Sequence, residues 1–299
     1  MGPGGYLWWY VDATSDDGRS GLTLIAFVGS VFSPYYAWSG RGDPLNHCAV
    51  NVALYGQSGR GWAMTERGRD HVRRGPADLS IGASALTWDR GGLTVRFDER
   101  AVPGRARLAG TVRLAMAPVN RQAWALDTAA RHRWRPILPR ASVEVSLIAP
   151  AGGWRGTGYF DTNVGDEPLE AAFSEWDWSR AHAPGRAIIH YDVVERGAGA
   201  ASLALRFDDD RAGLLVESPP RLSLPPTGWR LRRRLRSEGP DDVSARRLLE
   251  DTPFYARSAL RARHDGVWTD VVHESLSLDR LRRPVVRAML PFRMPRTFW

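Results

Sequence analysis

The sequence contains no lysine, and its 41 lysine-plus-arginine residues are therefore all arginine. Complete use of arginine is typical of a compositional bias in the coding DNA. The 33 acidic residues leave a net charge of +8, and a basic protein can bind nucleic acid or an anionic membrane surface. The arginines are scattered, however, and no zinc finger or aromatic RNA-binding signature is present. The composition therefore argues against a nucleic-acid partner and favours proximity to a membrane.

Cysteine is almost absent as well, since Cys48 is the single one. One cysteine excludes an internal disulfide framework and any metal site with several cysteine ligands. We predict that Cys48 is buried by packing. The start, Met1–Gly5, lacks both the basic residues and the apolar core of a cleavable signal peptide. A reducing, cytoplasmic location is the resulting expectation.

Charge is missing from one stretch, residues Gly21–Gly40. Its 20 residues are long enough to span a bilayer. Gly29 and Pro34 interrupt it, however, and it ends in closely spaced aromatic residues. We therefore predict a buried strand at Leu22–Val28 followed by an aromatic loop, and no transmembrane segment.

Several motifs of common active sites are also missing. No glycine-rich stretch precedes a Lys-Ser/Thr pair, and no Gly-x-Ser-x-Gly sequence is present. The seven histidines are dispersed, and none forms the His-Glu-x-x-His pair of a helical zinc site. The sequence therefore predicts neither a phosphate-binding loop, nor a serine nucleophile, nor a metal centre.

What the chain does contain is typical of β structure. It has 30 glycines, 20 prolines and 13 tryptophans, and many short alternating segments are separated by turn residues. This pattern predicts a mainly β protein with little helix, built from two antiparallel barrel or sandwich domains at residues 1–135 and 136–299. Two segments depart from the pattern: Pro118–Pro139 reads as a long connection, and Asp242–Glu250 as a short helix.

One predicted strand carries an acidic residue among aromatic and amide neighbours. Residues Gly158–Asn163 follow a glycine-rich turn, and alternation places Tyr159, Asp161 and Asn163 on one face with Phe160 on the other. Asp161 is then either a solvent-facing residue or part of a site in a cavity. Three further carboxylates lie among aromatic or histidine residues, and spacing alone does not select between them and Asp161: Glu175, Asp177 and Asp192.

Five runs of the sequence resemble a known family, the acyclic carotenoid 1,2-hydratases, also called hydroxyneurosporene synthases. Together they extend over most of the chain: Gly4–Ala13, Ile25–Ala37, His47–Tyr55, Trp62–Gly68 and Gly158–Asn163. The segment before Gly4 is shorter than we expect for this family.

The resemblance implies a cofactor-independent lyase that adds water to the terminal C1–C2 double bond of acyclic carotenoids such as lycopene and neurosporene. It also implies that the two β domains are lipocalin-like. The family's His-x-Trp and Tyr-x-Asp pairs match His132 with Trp134 and Tyr159 with Asp161. These four residues are the predicted catalytic site.

The chemistry suits these residue types. Hydration of an unactivated alkene requires protonation of carbon, and burial in an apolar pocket keeps a carboxyl group protonated. Asp161 is then the acid, Trp134 and Tyr159 stabilise the tertiary cation through their π faces, and His132 orients Asp161 or guides the attacking water. A non-catalytic lipocalin-like carrier of a polyene, or a related polyene cyclase or pericyclase, remains an alternative.

The predicted substrate resides in membranes, which suggests peripheral association with the inner or photosynthetic membrane. The uncharged stretch Gly21–Gly40 and the basic, aromatic tail Leu281–Trp299 are the candidate docking segments. The alternative for the tail is ordinary packing against a barrel.

Overall fold

The computed structural model describes residues 1–57, 59–208 and 213–297. Strands dominate these residues, which confirms the predicted mainly β class. The contacts divide the chain into two compact units. Unit 1 comprises Met1–Ala125, Arg131–Pro168 and Arg287–Trp299, and unit 2 comprises Leu126–Ala130 and Leu169–Val286.

Unit 1 contains one large antiparallel sheet. Its strands are β1 (Tyr6–Ser15), β2 (Ser20–Val28), β3 (Cys48–Gly56), β4 (Gly61–Arg67), β5 (Val72–Arg74), β6 (Asp78–Ile81), β7 (Ser84–Asp89), β8 (Gly92–Arg100), β9 (Arg107–Ala115), β10 (Trp124–Ala125), β11 (His132–Ala149) and β12 (Gly152–Gly165). They pair in the order β4-β3-β2-β1-β12-β11-β9-β8-β7-β6-β5, and β10 pairs with β11. Because β4 returns towards β8 and β9, the sheet nearly closes into a barrel.

The core of unit 1 is aliphatic and lies on one face of this sheet. Alternate residues of the strands supply it, as the period of two requires, including Val11, Leu24, Val52, Val95, Val112 and Phe160. Cys48 belongs to the same cluster and is fully buried, as predicted. Burial raises the pKa of its thiol to about 12.

The hairpin of β11 and β12 joins the two ends of unit 1. β12 pairs with β11 on one side and with β1 on the other, so a segment late in the unit completes the sheet beside its first strand. The predicted domain boundary after residue 135 falls inside β11, whereas the contacts keep the whole hairpin in unit 1 up to Pro168. The predicted long connection at Pro118–Pro139 is corrected, because it contains β10 and the start of β11.

Unit 2 is also built from antiparallel strands. These are β13 (Phe173–Ala183), β14 (Arg186–Glu195), β15 (Gly199–Asp208), β16 (Leu214–Leu215), β17 (Arg221–Leu224), β18 (Arg233–Arg236), β19 (Val243–Asp251), β20 (Tyr255–His264) and β21 (Val267–Ser277). Seven form a sheet in the order β16-β15-β14-β13-β21-β20-β19, and β17 pairs with β18. The predicted helix at Asp242–Glu250 is wrong, since strand β19 occupies that segment.

Helices are short throughout the described residues. They are α1 (Pro34–Trp38), α2 (Leu169–Ala172), α3 (Leu278–Leu281) and α4 (Pro284–Met289), with 3₁₀ turns at Pro44–Asn46, Arg69–His71, Pro240–Asp242 and Leu290–Phe292. The predicted aromatic loop is therefore corrected to α1, which begins where Ser33 Oγ accepts a hydrogen bond from the Tyr36 amide. The described helices include none with the length and apolar character needed to cross a membrane.

Candidate active site

Asp161 lies on the face of β12 that points away from the aliphatic core. Phe160 enters that core, whereas Tyr159, Asp161 and Asn163 share the opposite face, as the alternation predicts. This second face is also buried, and Asp161 is only 3% exposed. The solvent-facing alternative for Asp161 is therefore wrong.

Two side chains hydrogen-bond to one oxygen of Asp161. Tyr159 Oη donates to Asp161 Oδ2 at 2.7 Å, and Trp134 Nε1 donates to the same atom at 2.9 Å. Trp134 Nε1 also lies 3.3 Å from Tyr159 Oη, which closes a compact triangle. Asn163 Nδ2 approaches the other oxygen, Oδ1, at 3.5 Å, a length at which a hydrogen bond is weak.

Strand register explains why these residues meet. Trp134 on β11 is opposite Asn163 on β12, so it is diagonal to Asp161, within reach of a large side chain. Tyr159 is two residues before Asp161 and shares its face. The structure thus brings together three of the four predicted residues: Trp134 meets Tyr159 and Asp161, which follow it by 25 and 27 residues across the hairpin.

The surroundings of Asp161 act on its two protonation states in opposite ways. Burial favours the neutral carboxyl group, because a low dielectric disfavours charge. The two donors on Oδ2 favour the carboxylate, because hydrogen bonds to the charged form stabilise it.

His132 is on the same face but further along the hairpin. It pairs with Gly165, four residues beyond Asp161 on β12, or about 13 Å at the usual rise of a strand. Its Nδ1 is 2.8 Å from Tyr6 Oη, and its Nε2 is 3.4 Å from Glu167 Oε1. The ring is fully buried, and it lies near the ring of Tyr6 with centroids 5.7 Å apart.

Further aromatic rings line this face, and the sequence pattern did not single them out. Tyr10 meets Tyr159 edge-on at 6.0 Å between centroids, and Trp124 lies 5.9 Å from Trp134. Tyr6 and Trp8 stack at 4.9 Å. Asp161 therefore lies among aromatic rings, whose π faces attract cations.

The other carboxylates considered from the sequence have different surroundings. In unit 2, Asp177 pairs with Arg221 and accepts a hydrogen bond from Ser275. Asp192 accepts hydrogen bonds from Arg236, with the closest contact at 2.5 Å. Their arginine partners mark these two residues as charged groups of structural ion pairs. Glu175 is 3.6 Å from Arg234 and is likewise paired.

The fold matches that of a solved protein of low sequence identity. The crystal structure of a protein assigned as AttH from Nitrosomonas europaea superimposes with a TM-score of 0.63, covering 91% of this chain and 92% of that one, at 15% identity. The architecture is lipocalin-like, as predicted. Fold and site together define the class: a mainly β, lipocalin-like protein with a buried aspartate among aromatic rings.

Sequence comparisons narrow this class. A family model described as carotenoid hydratase CrtC matches residues 24–299. The acyclic carotenoid 1,2-hydratase of Thiocapsa roseopersicina is 54% identical over 298 residues, which are 98% of this chain and 74% of that protein. The enzyme of the same name from Rubrivivax gelatinosus is 50% identical, with 98% of this chain and 74% of the relative covered. The chain belongs to the carotenoid hydratase family, and its enzyme class is that of a carotenoid 1,2-hydratase, a hydro-lyase.

Proposed function

We propose that this protein adds water to the terminal C1–C2 double bond of acyclic carotenoids such as lycopene and neurosporene. The observation that supports the proposal most directly is the placement of Asp161. It is buried, it is hydrogen-bonded through Oδ2 to Tyr159 and Trp134, and it lies among aromatic rings. Burial among aromatic rings favours the protonated carboxyl group that must supply the proton, and the two donors stabilise the carboxylate that remains.

The reaction begins with the proton of Asp161. Because Oδ2 accepts two hydrogen bonds, the transferable proton is on Oδ1. It moves to C2 of the substrate, the double bond supplies the electron pair for the new C–H bond, and a tertiary cation forms at C1. Water then attacks C1 and loses a proton, which gives a tertiary alcohol.

Trp134 has two roles in this proposal. Its indole N–H stabilises the carboxylate that Asp161 becomes, and its π face stabilises the cation. Tyr159 donates to the same carboxylate oxygen. Of the two roles predicted for His132, orientation has the better support: the hydrogen bond to Tyr6 fixes the ring on the strand that carries Trp134.

Every step of this scheme is a proton transfer or a capture of a cation by water. The residues named supply the acid and the electrostatic stabilisation, so we propose that the reaction requires no cofactor. A tertiary cation formed beside a buried carboxylate is also protected from competing nucleophiles in bulk water.

We also propose that the protein docks on a membrane surface, where its apolar substrate resides. On helix α4 and the turn after it, Phe292 is 82% exposed and Met289 is 42% exposed. Arg287 and Arg293 accompany them, so the segment combines apolar and basic side chains in the manner of interfacial helices. A surface with both basic and exposed apolar side chains is suited to binding a membrane of anionic lipid.

Contacts within unit 1 connect this segment to the second predicted docking region. Arg296 pairs with Glu66 and lies 3.0 Å from His47 Nδ1. His47 Nε2 is in turn 3.1 Å from the hydroxyl of Ser39, next to Trp38, which is 56% exposed. The end of the tail therefore packs beside the uncharged stretch, and each of the two segments carries exposed apolar side chains. The last predicted tail residues, 298 and 299, lie outside the described part of the chain.

The proposed reaction is tested by incubating the purified protein anaerobically with solubilised lycopene or neurosporene in H₂¹⁸O, followed by chromatography and mass spectrometry. We expect a product heavier than the substrate by one labelled water. Asp161→Asn is expected to abolish it, because the amide has no acidic proton. Asp166→Asn, which makes the same change at an exposed position just beyond β12, is the matched control.

The alternatives give different results. Tight binding of carotenoid without any product identifies a carrier. A product isomeric with the substrate, with no oxygen added, identifies a cyclase or pericyclase. Full activity in folded Asp161→Asn contradicts the assignment of the acid.

A further inference from the structure

A second carboxyl group lies on the same face as Asp161. Asp12 belongs to β1, and it is fully buried. The register pairs Asp12 with Tyr159 and Tyr10 with Asp161. Because directly opposite residues of an antiparallel pair share a face, the side chain of Asp12 projects to the same side of the sheet as that of Asp161.

The register also sets the distance between the two groups. Asp12 and Asp161 are diagonal neighbours on adjacent strands, a relation that separates two residues by about 7–8 Å and their β-carbons by somewhat less. Two carboxyl groups at a similar separation leave room for a water molecule and the reacting carbon between them in enzymes that use one as acid and the other as base. The spacing of Asp12 and Asp161 therefore suits one carboxyl group as acid and the other as base.

The surface around the two carboxyl groups is divided into a polar end and an aromatic end. On β2, the residue opposite Asp12 is Thr23, which is buried and accepts a hydrogen bond from Tyr55 Oη at 3.4 Å. At the other end of β1, Trp8 is opposite Phe27 and packs edge-on against it. The aromatic end is suited to a polyene, and the end with Asp12 is suited to water.

We propose that Asp12 is the general base of the reaction and takes a proton from the water that captures the cation. This inference rests on the proposed hydratase function and adds to it the group that completes the chemistry. In the step, the water oxygen forms a bond to C1 with one of its lone pairs, one O–H bond breaks, and the proton goes to the Asp12 carboxylate.

The two carboxyl groups then require a proton exchange to return to their initial states. One turnover removes a proton from Asp161 and adds one to Asp12, so no net proton is consumed. Tyr159 lies opposite Asp12 on the neighbouring strand and donates a hydrogen bond to Asp161. Return of one proton from Asp12 to Asp161 restores the enzyme.

His132 is the competing candidate for the base, but its position in the site makes it the weaker of the two candidates. His132 is at the end of the site with Tyr6, where its Nδ1 is engaged with the Tyr6 hydroxyl. Asp12 is at the opposite end, beside Thr23. The two assignments therefore predict that water enters at different ends of the face.

The decisive experiment uses azide, an anionic nucleophile that captures a cation without needing a base. We expect Asp12→Asn and Asp12→Ala to lower the rate of hydration by roughly 10²–10⁴-fold, the usual contribution of a general base. With sodium azide, Asp12→Ala is expected to convert the carotenoid to a tertiary azide, because Asp161 still forms the cation. Asp161→Asn is expected to give no azide adduct, and Asp16→Asn, on the exposed turn after β1, is the control.

Each outcome bears on a different claim. Hydration by folded Asp12→Asn within a few-fold of wild type overturns the role of Asp12. The role of Asp12 is also overturned if both variants lose hydration, still bind carotenoid and form no azide adduct. That result indicates that Asp12 is a structural residue. If His132→Gln gives the azide adduct instead, His132 is the base. Failure of the wild-type protein to hydrate any acyclic carotenoid refutes the proposed function itself.

Discussion

Replacement of Trp134 by phenylalanine separates the two roles proposed for its side chain. Phenylalanine keeps an aromatic face beside the cation but removes the indole N–H that donates to Asp161 Oδ2 at 2.9 Å. Because Trp134 is fully buried, bulk water does not replace the indole N–H as a hydrogen-bond donor. The carboxylate formed when Asp161 gives up its proton then keeps the hydrogen bond from Tyr159 and loses the one from Trp134.

The expected size of the effect follows from the charge on Asp161 after proton transfer. A hydrogen bond to a charged group contributes about 1.5–3 kcal/mol. Because the carboxylate develops as the transition state is reached, this energy appears in kcat, and it corresponds to a fall of roughly 10- to 150-fold. The KM is expected to change little, since the apolar contact with the substrate is retained.

Steady-state kinetics with solubilised lycopene measures both constants. Trp134→Leu, which removes the donor and the π face together, is expected to lose more activity than Trp134→Phe. Trp88→Phe is the matched control, because Trp88 stacks at 6.0 Å on Phe160, on the opposite face of β12. Folding of each variant is compared by circular dichroism.

Three results would refute this reasoning. Wild-type kcat in Trp134→Phe means that the indole N–H does not stabilise the carboxylate in the transition state. Equal losses in Trp134→Phe and Trp134→Leu mean that the π face does not contribute. A loss confined to KM means that Trp134 binds substrate and does not assist the chemical step.

Two further predictions concern stability and membrane docking. Burial lowers the pKa of His190 to about 3 from its ordinary 6.5, so its contribution to stability is complete above pH 6.5 and is lost as the pH falls towards 3. Denaturant unfolding at pH 5 is expected to show a free energy of unfolding about 2 kcal/mol lower than at pH 7. This pH dependence should weaken in His190→Leu. The same pH dependence in the variant and the wild type would contradict the prediction. Replacement of both Met289 and Phe292 by serine is expected to reduce co-sedimentation with anionic liposomes several-fold, while activity on solubilised carotenoid is retained. The control Val267→Ser, also at an exposed apolar residue, should bind liposomes as the wild type does. Unchanged binding of the double variant would exclude this segment as the docking surface.

Local alternation was sufficient to predict much of the fold. The strand that carries Asp161 follows a clear period of two and is found as predicted. The alternation also placed Tyr159 and Asp161 on one face and Phe160 on the other. These features depend on residues close in sequence, which is why the pattern reveals them.

Two of the segments that were assigned wrongly, Pro118–Pro139 and Asp242–Glu250, include strands with irregular pairing. β19 has register shifts between Ala245 and Arg247 and between Leu248 and Glu250, so its alternation changes phase twice within nine residues. The first half of β11 has similar shifts between Pro136 and Ala141. A β-bulge inserts an unpaired residue and moves the following side chains to the other face. The pattern then resembles a helix or a loop, although the backbone remains extended.

The assembly of the site depends on pairings that no local pattern contains. β1 pairs with β12 across about half of the chain, and this single register places Asp12 opposite Tyr159 and Tyr10 opposite Asp161. A shift of one residue in the pairing would turn Asp12 into the aliphatic core. The sequence shows an acidic residue in an aromatic strand near its start, but only the register shows that this residue faces the predicted acid. The same pairing that completes the sheet of unit 1 therefore also brings two buried carboxyl groups, the proposed acid and the proposed base, to one face.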